Sequence, residues 1–237
     1  MILAIDTTGL VASCAIVDEH KTVAEFSTNF KKTHSQTIMP MIDNMLNFTG
    51  IGLEDMDYIA CAVGPGSFTG IRIGVAIAKG LALGAGKEII PVTALDALAY
   101  NTVKSGCVIA PIMDARQSQV YACFYEHEGE RQVRLCDYFA CHIDECIERA
   151  RAYGKDVLFL GDGTTPNLDR LKKEGFSIAH PGCNMQRAAS VGALALVLAD
   201  EGAARRPSEI VPYYIRLPQA ERELKESEGG KNNPDAD

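Results

Sequence analysis

The sequence predicts a duplicated α/β fold of two lobes, and three observations carry that expectation. Read from hydrophobic periodicity, the element order βββαβαβα occurs twice along the 237 residues. The strand-like run Ile2-Leu3-Ala4-Ile5-Asp6 has a counterpart in Val108-Ile109-Ala110-Pro111-Ile112-Met113-Asp114, each ending on Asp. In the first copy, Val63-Gly64-Pro65-Gly66-Ser67-Phe68-Thr69-Gly70-Ile71-Arg72-Ile73-Gly74 joins an apolar run to a segment rich in Ala, Ile and Leu. That context reads as strand, glycine loop and helix.

In the first half, 2–6, 11–17 and 22–28 read as strands, the last two joined by the short polar link Asp18-Glu19-His20-Lys21. A helix follows over 35–48. Ile38, Met41, Ile42, Met45 and Leu46 stand at i, i+3, i+4, i+7 and i+8, which is one helical face. A strand at 57–63, the glycine loop, a helix over 68–85, a strand at 88–92 and a helix from Thr93 complete the first set. The second half repeats it with strands at 108–114, 118–126 and 131–140. Helix, strand and helix follow at 143–152, 156–161 and 165–174, then a strand at 175–179 and a helix at 187–200. The expected lobes are 1–104 and 105–208. The apolar segment 209–217 docks back on the first, and 218–237 is a mobile charged tail.

With 47% hydrophobic and 23% charged residues the chain has a globular composition. A net charge of −8 argues against autonomous binding of nucleic acid, which needs clustered cations to neutralise phosphates. Lys31-Lys32 and Arg205-Arg206 are only pairs. The chain opens directly on a core strand with no signal-peptide pattern, and no apolar stretch reads as a membrane span, so the expectation is a cytoplasmic protein with reduced thiols. Cys136, Cys141, His142 and Cys146 invite a metal reading. Their spacing matches no zinc knuckle, and ordinary packing is preferred.

The glycine loop fits neither common nucleotide fingerprint. The P-loop needs Lys and Ser or Thr after its last Gly, where Ile71 and Arg72 stand here. The dinucleotide fingerprint needs Gly-x-Gly-x-x-Gly, whereas the run is Gly64-x-Gly66-x-x-x-Gly70. The helix it launches is rich in small residues. Gly70, Gly74 and Ala78 recur every four positions on one face, and Ala76, Gly80 and Gly84 on another. Glycine inside a helix costs up to about 1 kcal/mol relative to Ala, so close neighbours are expected as compensation. The helix 35–48 carries Met39, Met41 and Met45, three of the seven methionines, a residue that adapts to partner surfaces.

The opening run continued to Thr7-Thr8, the run 63–74, the stretch Met113-Asp114-Ala115-Arg116-Gln117-Ser118-Gln119-Val120-Tyr121 and Pro212-Tyr213-Tyr214-Ile215-Arg216 together resemble the bacterial TsaB family over about 1–217. The resemblance implies the actin-like, sugar-kinase and heat-shock-ATPase fold, two lobes around a cleft. It implies a part in making N6-threonylcarbamoyladenosine beside the tRNA anticodon, as a non-catalytic subunit that pairs with the paralogue TsaD and is joined by the ATPase TsaE. On that basis helices 35–48 and 68–85 form the partner surface, with Met41, Ile42, Met45, Gly70, Gly74 and Ala78 as its residues. The same surface forms a homodimer when TsaD is missing, and tRNA is met only within the complex.

The TsaD-like His-x-x-x-His metal pair is absent, since His34 is followed four positions on by Ile38, and no catalytic or metal residue is assigned. In nucleotide-hydrolysing members of the fold, an Asp ends the first strand of each lobe and faces Mg²⁺ and phosphate. Asp6 and Asp114 stand there, and with Gly64, Gly66 and Gly161 they outline a degenerate nucleotide cleft for weak ATP or ADP with Mg. Thr7-Thr8 departs from the glycine context of those enzymes, and the carboxylates can instead satisfy turn N–H groups. An ATP-dependent enzyme using Asp6 and Asp114 is the alternative function. A peptidase is a third, resting on an older glycoprotease label for the family.

Overall fold

The computed structural model describes residues 1–30, 33–102, 106–129 and 131–216. The charged tail 218–237 and the Lys31-Lys32 pair lie outside the described residues. The first sheet holds β1 (Ile2–Asp6), β2 (Ala12–Val17), β3 (Thr22–Thr28), β4 (Tyr58–Ala62) and β5 (Glu88–Val92) in the order β3-β2-β1-β4-β5. β1, β2 and β3 pair antiparallel, while β1, β4 and β5 run parallel. Every residue of β1 is buried, as expected of a strand covered on both faces. Leu3 and Ile5 pack beneath α1 (His34–Thr49) and α2 (Phe68–Ala85), and Ile2 and Ala4 face the opposite layer.

The second sheet repeats the plan. β6 (Val108–Asp114), β7 (Gln119–Ala122), β10 (Phe139–His142), β11 (Val157–Leu160) and β12 (Ser177–Ile178) take the order β10-β7-β6-β11-β12. A hairpin of β8 (Tyr125–Glu128) and β9 (Arg131–Arg134) joins at β6. The duplicated order is the arrangement expected of the actin-like fold. α4 (Ile143–Arg151) and α5 (Leu168–Lys173) cover one face of this sheet. α3 (Ala94–Ala99) lies between the sheets, with Ala97 against the first and Leu95 and Leu98 against the second. Asp96 of α3 accepts hydrogen bonds from the hydroxyls of Tyr125 and Tyr138, both at 2.6 Å, which ties the two halves together.

The structure differs from the sequence expectation in several places, among them the strand expected at 175–179, which shortens to β12. The strand expected over 118–126 breaks at Cys123-Phe124, whose side chains enter opposite faces of the sheet. The strand expected over 131–140 likewise divides into β9 and β10. The helix expected at 165–174 shortens to α5 behind a single 3₁₀ turn at Asp162–Thr164. Finally, α2 is long and apolar enough by composition to cross a membrane, which the sequence reading did not foresee. Its inward side packs on the first sheet through Gly70, Ile71, Gly74, Val75, Ala78 and Ala82.

The last helix, α6 (Ala188–Asp200), follows the second sheet in the chain but packs on the first. Its free N-terminal N–H groups explain the choice. That of Ala188 donates to Ser13 Oγ at 3.0 Å and that of Ala189 to Glu25 Oε1 at 3.1 Å. Arg187 pairs with the same carboxylate at 2.5 Å. Close approach is possible because residue 192 is Gly: a Cβ there would stand 2.6 Å from Val17 Cγ2 and 3.2 Å from Ala4 Cβ. Beyond α6 the chain bridges β5 at Arg205 and buries Ile210 under α2, and Tyr213 N–H reaches Val63 O at 2.8 Å. Gly192→Val should therefore overpack this layer and cost about 1–3 kcal/mol of stability in urea unfolding. An unchanged midpoint would show that the close approach of α6 is not required.

Candidate functional site: close glycine contacts and an exposed helical face

Asp6, Asp114 and Asp162 gather where the central strands of the two sheets end. Asp6 is 1% exposed. Its Oδ1 accepts from Thr8 N–H at 2.8 Å and Thr8 Oγ1–H at 2.7 Å, closing an Asx turn. Burial pushes its carboxyl up to about 6, against the lowering by the Thr8 bonds, and the carboxylate of Asp162 adds to the rise. Asp162 is buried too and is likewise raised, first by burial, while its Oδ1 accepts Asp114 N–H at 3.1 Å. Asp114 itself is exposed, and its Oδ1 accepts Arg116 N–H at 2.9 Å. All three carboxylates thus serve turn or strand-end donors.

The glycines of the loop make room for the chain's own backbone. A Cβ on Gly66 would stand 2.2 Å from Thr8 O, one on Gly70 2.1 Å from Thr7 O, and one on Gly74 2.4 Å from Thr7 Oγ1. Three hydrogen bonds lock this contact or its flank. Ser67 N–H donates to Thr8 O at 2.7 Å, Thr7 Oγ1–H to Gly70 O at 2.8 Å, and Gly70 N–H to Ser67 Oγ at 3.3 Å as the helix cap. Gly64 (φ 118°) is needed where Tyr213 O would lie 2.4 Å from its Cβ. Gly161 (φ 105°) meets Ile112 O in the same way at 2.1 Å. Each glycine expected in a nucleotide cleft therefore has a backbone neighbour from this chain. His34 Nε2 lies 2.9 Å from Gly9 O.

The residues expected at the partner surface divide between inside and edge. Ile42, Met45, Gly70, Gly74 and Ala78 are buried, because this face of each helix covers β1 and β4, and only Met41 is half-buried. Five of the six residues expected at the partner surface thus face this chain's own sheet. The second small-residue stripe of α2, Ala76, Gly80 and Gly84, is exposed, and a Cβ on Gly80 or Gly84 would meet none of the described residues within 4 Å. Leu83 is 69% exposed beside it, and Phe48 of α1 is 83% exposed. Phe48 and Leu83 were missed. Phe48 follows Met41 by seven residues, a helical spacing that signals a shared flank.

The raised carboxyl of Asp6 gives a signed pH effect. In the folded chain Asp6 holds its proton up to about pH 6, well above its ordinary value of 3.8. Its contribution to stability is full below the unfolded value and is lost as pH rises through the folded one. Asp6→Asn should flatten the dependence of Tm on pH between about 4 and 7, and stabilise the chain at neutral pH by up to about 3 kcal/mol. A slope equal to that of the unsubstituted chain would remove Asp6 as its source.

A family model described as TsaD: tRNA N6-adenosine threonylcarbamoyltransferase matches residues 22–222. The Bacillus subtilis protein named tRNA threonylcarbamoyladenosine biosynthesis protein TsaB is 33% identical over 227 residues, covering 96% of this chain and 99% of that one. The Escherichia coli protein of the same name is 30% identical over 223 residues, covering 91% of this chain and 94% of that one. Among solved structures, YeaZ from Pseudomonas aeruginosa has the same fold, with a TM-score of 0.74 at 23% identity over 90% of this chain and 98% of that one. By sequence identity across almost its whole length, this chain belongs to the TsaB family.

Proposed function

We propose that this chain serves in the synthesis of N6-threonylcarbamoyladenosine on tRNA as a non-catalytic subunit that docks on TsaD through the outer face of α1 and α2. Family membership supports the role in that modification. The observation that carries the subunit reading is the open stripe Ala76, Gly80 and Gly84 with the exposed Leu83 beside it on α2, together with the exposed Phe48 on α1. Small residues let another helix approach closely, and exposed large apolar side chains on the two helices supply the area to be buried. A pair of helices from TsaD is the proposed occupant, with a second copy of this chain taking its place when TsaD is absent. TsaE joins the assembled pair, and tRNA meets the complex rather than this acidic chain alone. Nucleotide is not needed by this chain on this reading. The loop glycines being occupied by Thr7, Thr8 and Tyr213 supports that.

The experiment combines this chain with TsaD, TsaE, threonylcarbamoyl-adenylate and tRNA, and measures transfer and co-elution. Transfer is expected only when this chain and TsaD are both present. Gly80→Phe combined with Leu83→Asp should abolish co-elution and lower transfer at least about tenfold, a loss of about 1.4 kcal/mol or more. Tm should hold, because both positions are exposed and leaving Gly favours the helix. Full transfer by the folded double variant would overturn the docking face. Transfer by TsaD and TsaE without this chain would overturn the subunit role.

A further inference from the structure

Four of the eight cysteines, Cys123, Cys136, Cys141 and Cys146, lie in the second half around α4, and all are free thiols. Two of them meet at the break between β7 and β8 and the connector between β9 and β10. Cys123 Sγ stands 3.8 Å from Cys136 Sγ and 3.2 Å from Cys136 O. Their accessibility differs. Cys123 is fully buried, whereas Cys136 is half-buried and lines a shallow pocket of about 320 Å³ with Phe124, Phe139, Arg149 and Tyr153. The Arg149 guanidinium lies 4.4 Å from the Phe139 ring centre, at this same pocket.

We propose that Cys136 and Cys123 form a peroxide-reactive dithiol, with Cys136 the attacking sulfur in its pocket and Cys123 the resolving sulfur behind it. The Cys136 thiolate attacks one oxygen of hydrogen peroxide, the O–O bond breaks, and hydroxide leaves, giving Cys136 sulfenic acid. Cys123 sulfur then attacks Cys136 sulfur, the S–O bond breaks, and water leaves carrying the Cys123 proton. Two thiols are oxidised to one disulfide and one peroxide is reduced to two waters. Closing the bond brings the sulfurs from 3.8 Å to about 2.05 Å.

The surroundings favour the thiolate at Cys136. Hydrogen bonding from Cys123 holds it down to about 6, helped by Phe124 N–H, the Tyr153 hydroxyl and the charge of Arg149, while burial opposes. Cys123 is correspondingly raised and keeps its proton. The neighbouring pair Cys141 and Cys146 is closed to solvent, at 5% and 0% exposure, and serves as an internal control. Cys183, half-buried elsewhere, is the accessible reference thiol.

The test treats the reduced full chain with hydrogen peroxide, alkylates the remaining thiols and maps them by mass spectrometry. A Cys123–Cys136 cross-link reversed by dithiothreitol is expected, with Cys136 lost about tenfold faster than Cys183. Cys123→Ser should leave a sulfenic acid at Cys136 that dimedone traps, and Cys136→Ser should leave Cys123 reduced. The proposal is overturned if the folded chain keeps both thiols, if Cys183 or Cys141 oxidises first, or if Cys136 pairs with a cysteine other than Cys123. Loss of Cys123 in Cys136→Ser overturns it equally. Unchanged circular dichroism certifies the fold of each variant.

Discussion

The structure depends on one backbone contact, the fit of the Thr7-Thr8 turn into the glycine run that starts α2. Three successive glycines on that side of the loop and helix face atoms of Thr7 and Thr8 at distances no Cβ could occupy. The contact sets the depth of α2 on the sheet. It also orients the end of β1, where Asp6 closes its turn on Thr8. With that depth fixed, Ile71, Val75, Ala78 and Ala82 meet Ile5, Cys61 and Ile59 in one core.

Because one side of α2 is committed to Thr7, the other side is left as an unusually smooth surface. A helix whose outer positions are Ala76, Gly80 and Gly84 has little side-chain relief, so a partner helix could approach to near-backbone distance. Glycine at 80 and 84 brings no packing among the described residues, since none of them lies within 4 Å of either Cβ position. The helical cost of those residues therefore finds no compensation among the described residues of this chain.

Much of the fold was legible because strand and helix periods are local. The strands 2–6, 22–28 and 88–92 and the helix 68–85 appear at the residues expected. Partner choice was not legible. Helix α2 offers two small-residue stripes of equal quality, and only the position of Thr7 in space decides which is inward. Likewise α6 is apolar on most of its circumference, so its pattern gives no direction. The N–H partners that settle its place, Ser13 and Glu25, lie more than 160 residues upstream. The breaks at Cys123-Phe124 and 135–138 escaped for a related reason, since both flanks keep strand-like composition. At the site, the Asx turn of Asp6 is legible from the residue type and its place at a strand end, whereas the rise of its carboxyl comes first from burial, which only the packed fold supplies.

The placement of α6 has a consequence for the order in which the chain can be completed. The first sheet is assembled from residues before 93, yet the layer over Ile2, Ala4, Ala15 and Val17 arrives with Ala188–Asp200. During synthesis, then, about half of the chain must emerge while that apolar face still lacks its cover, an interval in which a nascent protein is open to aggregation or chaperone capture. The last third of the sequence acts as a lock on the first.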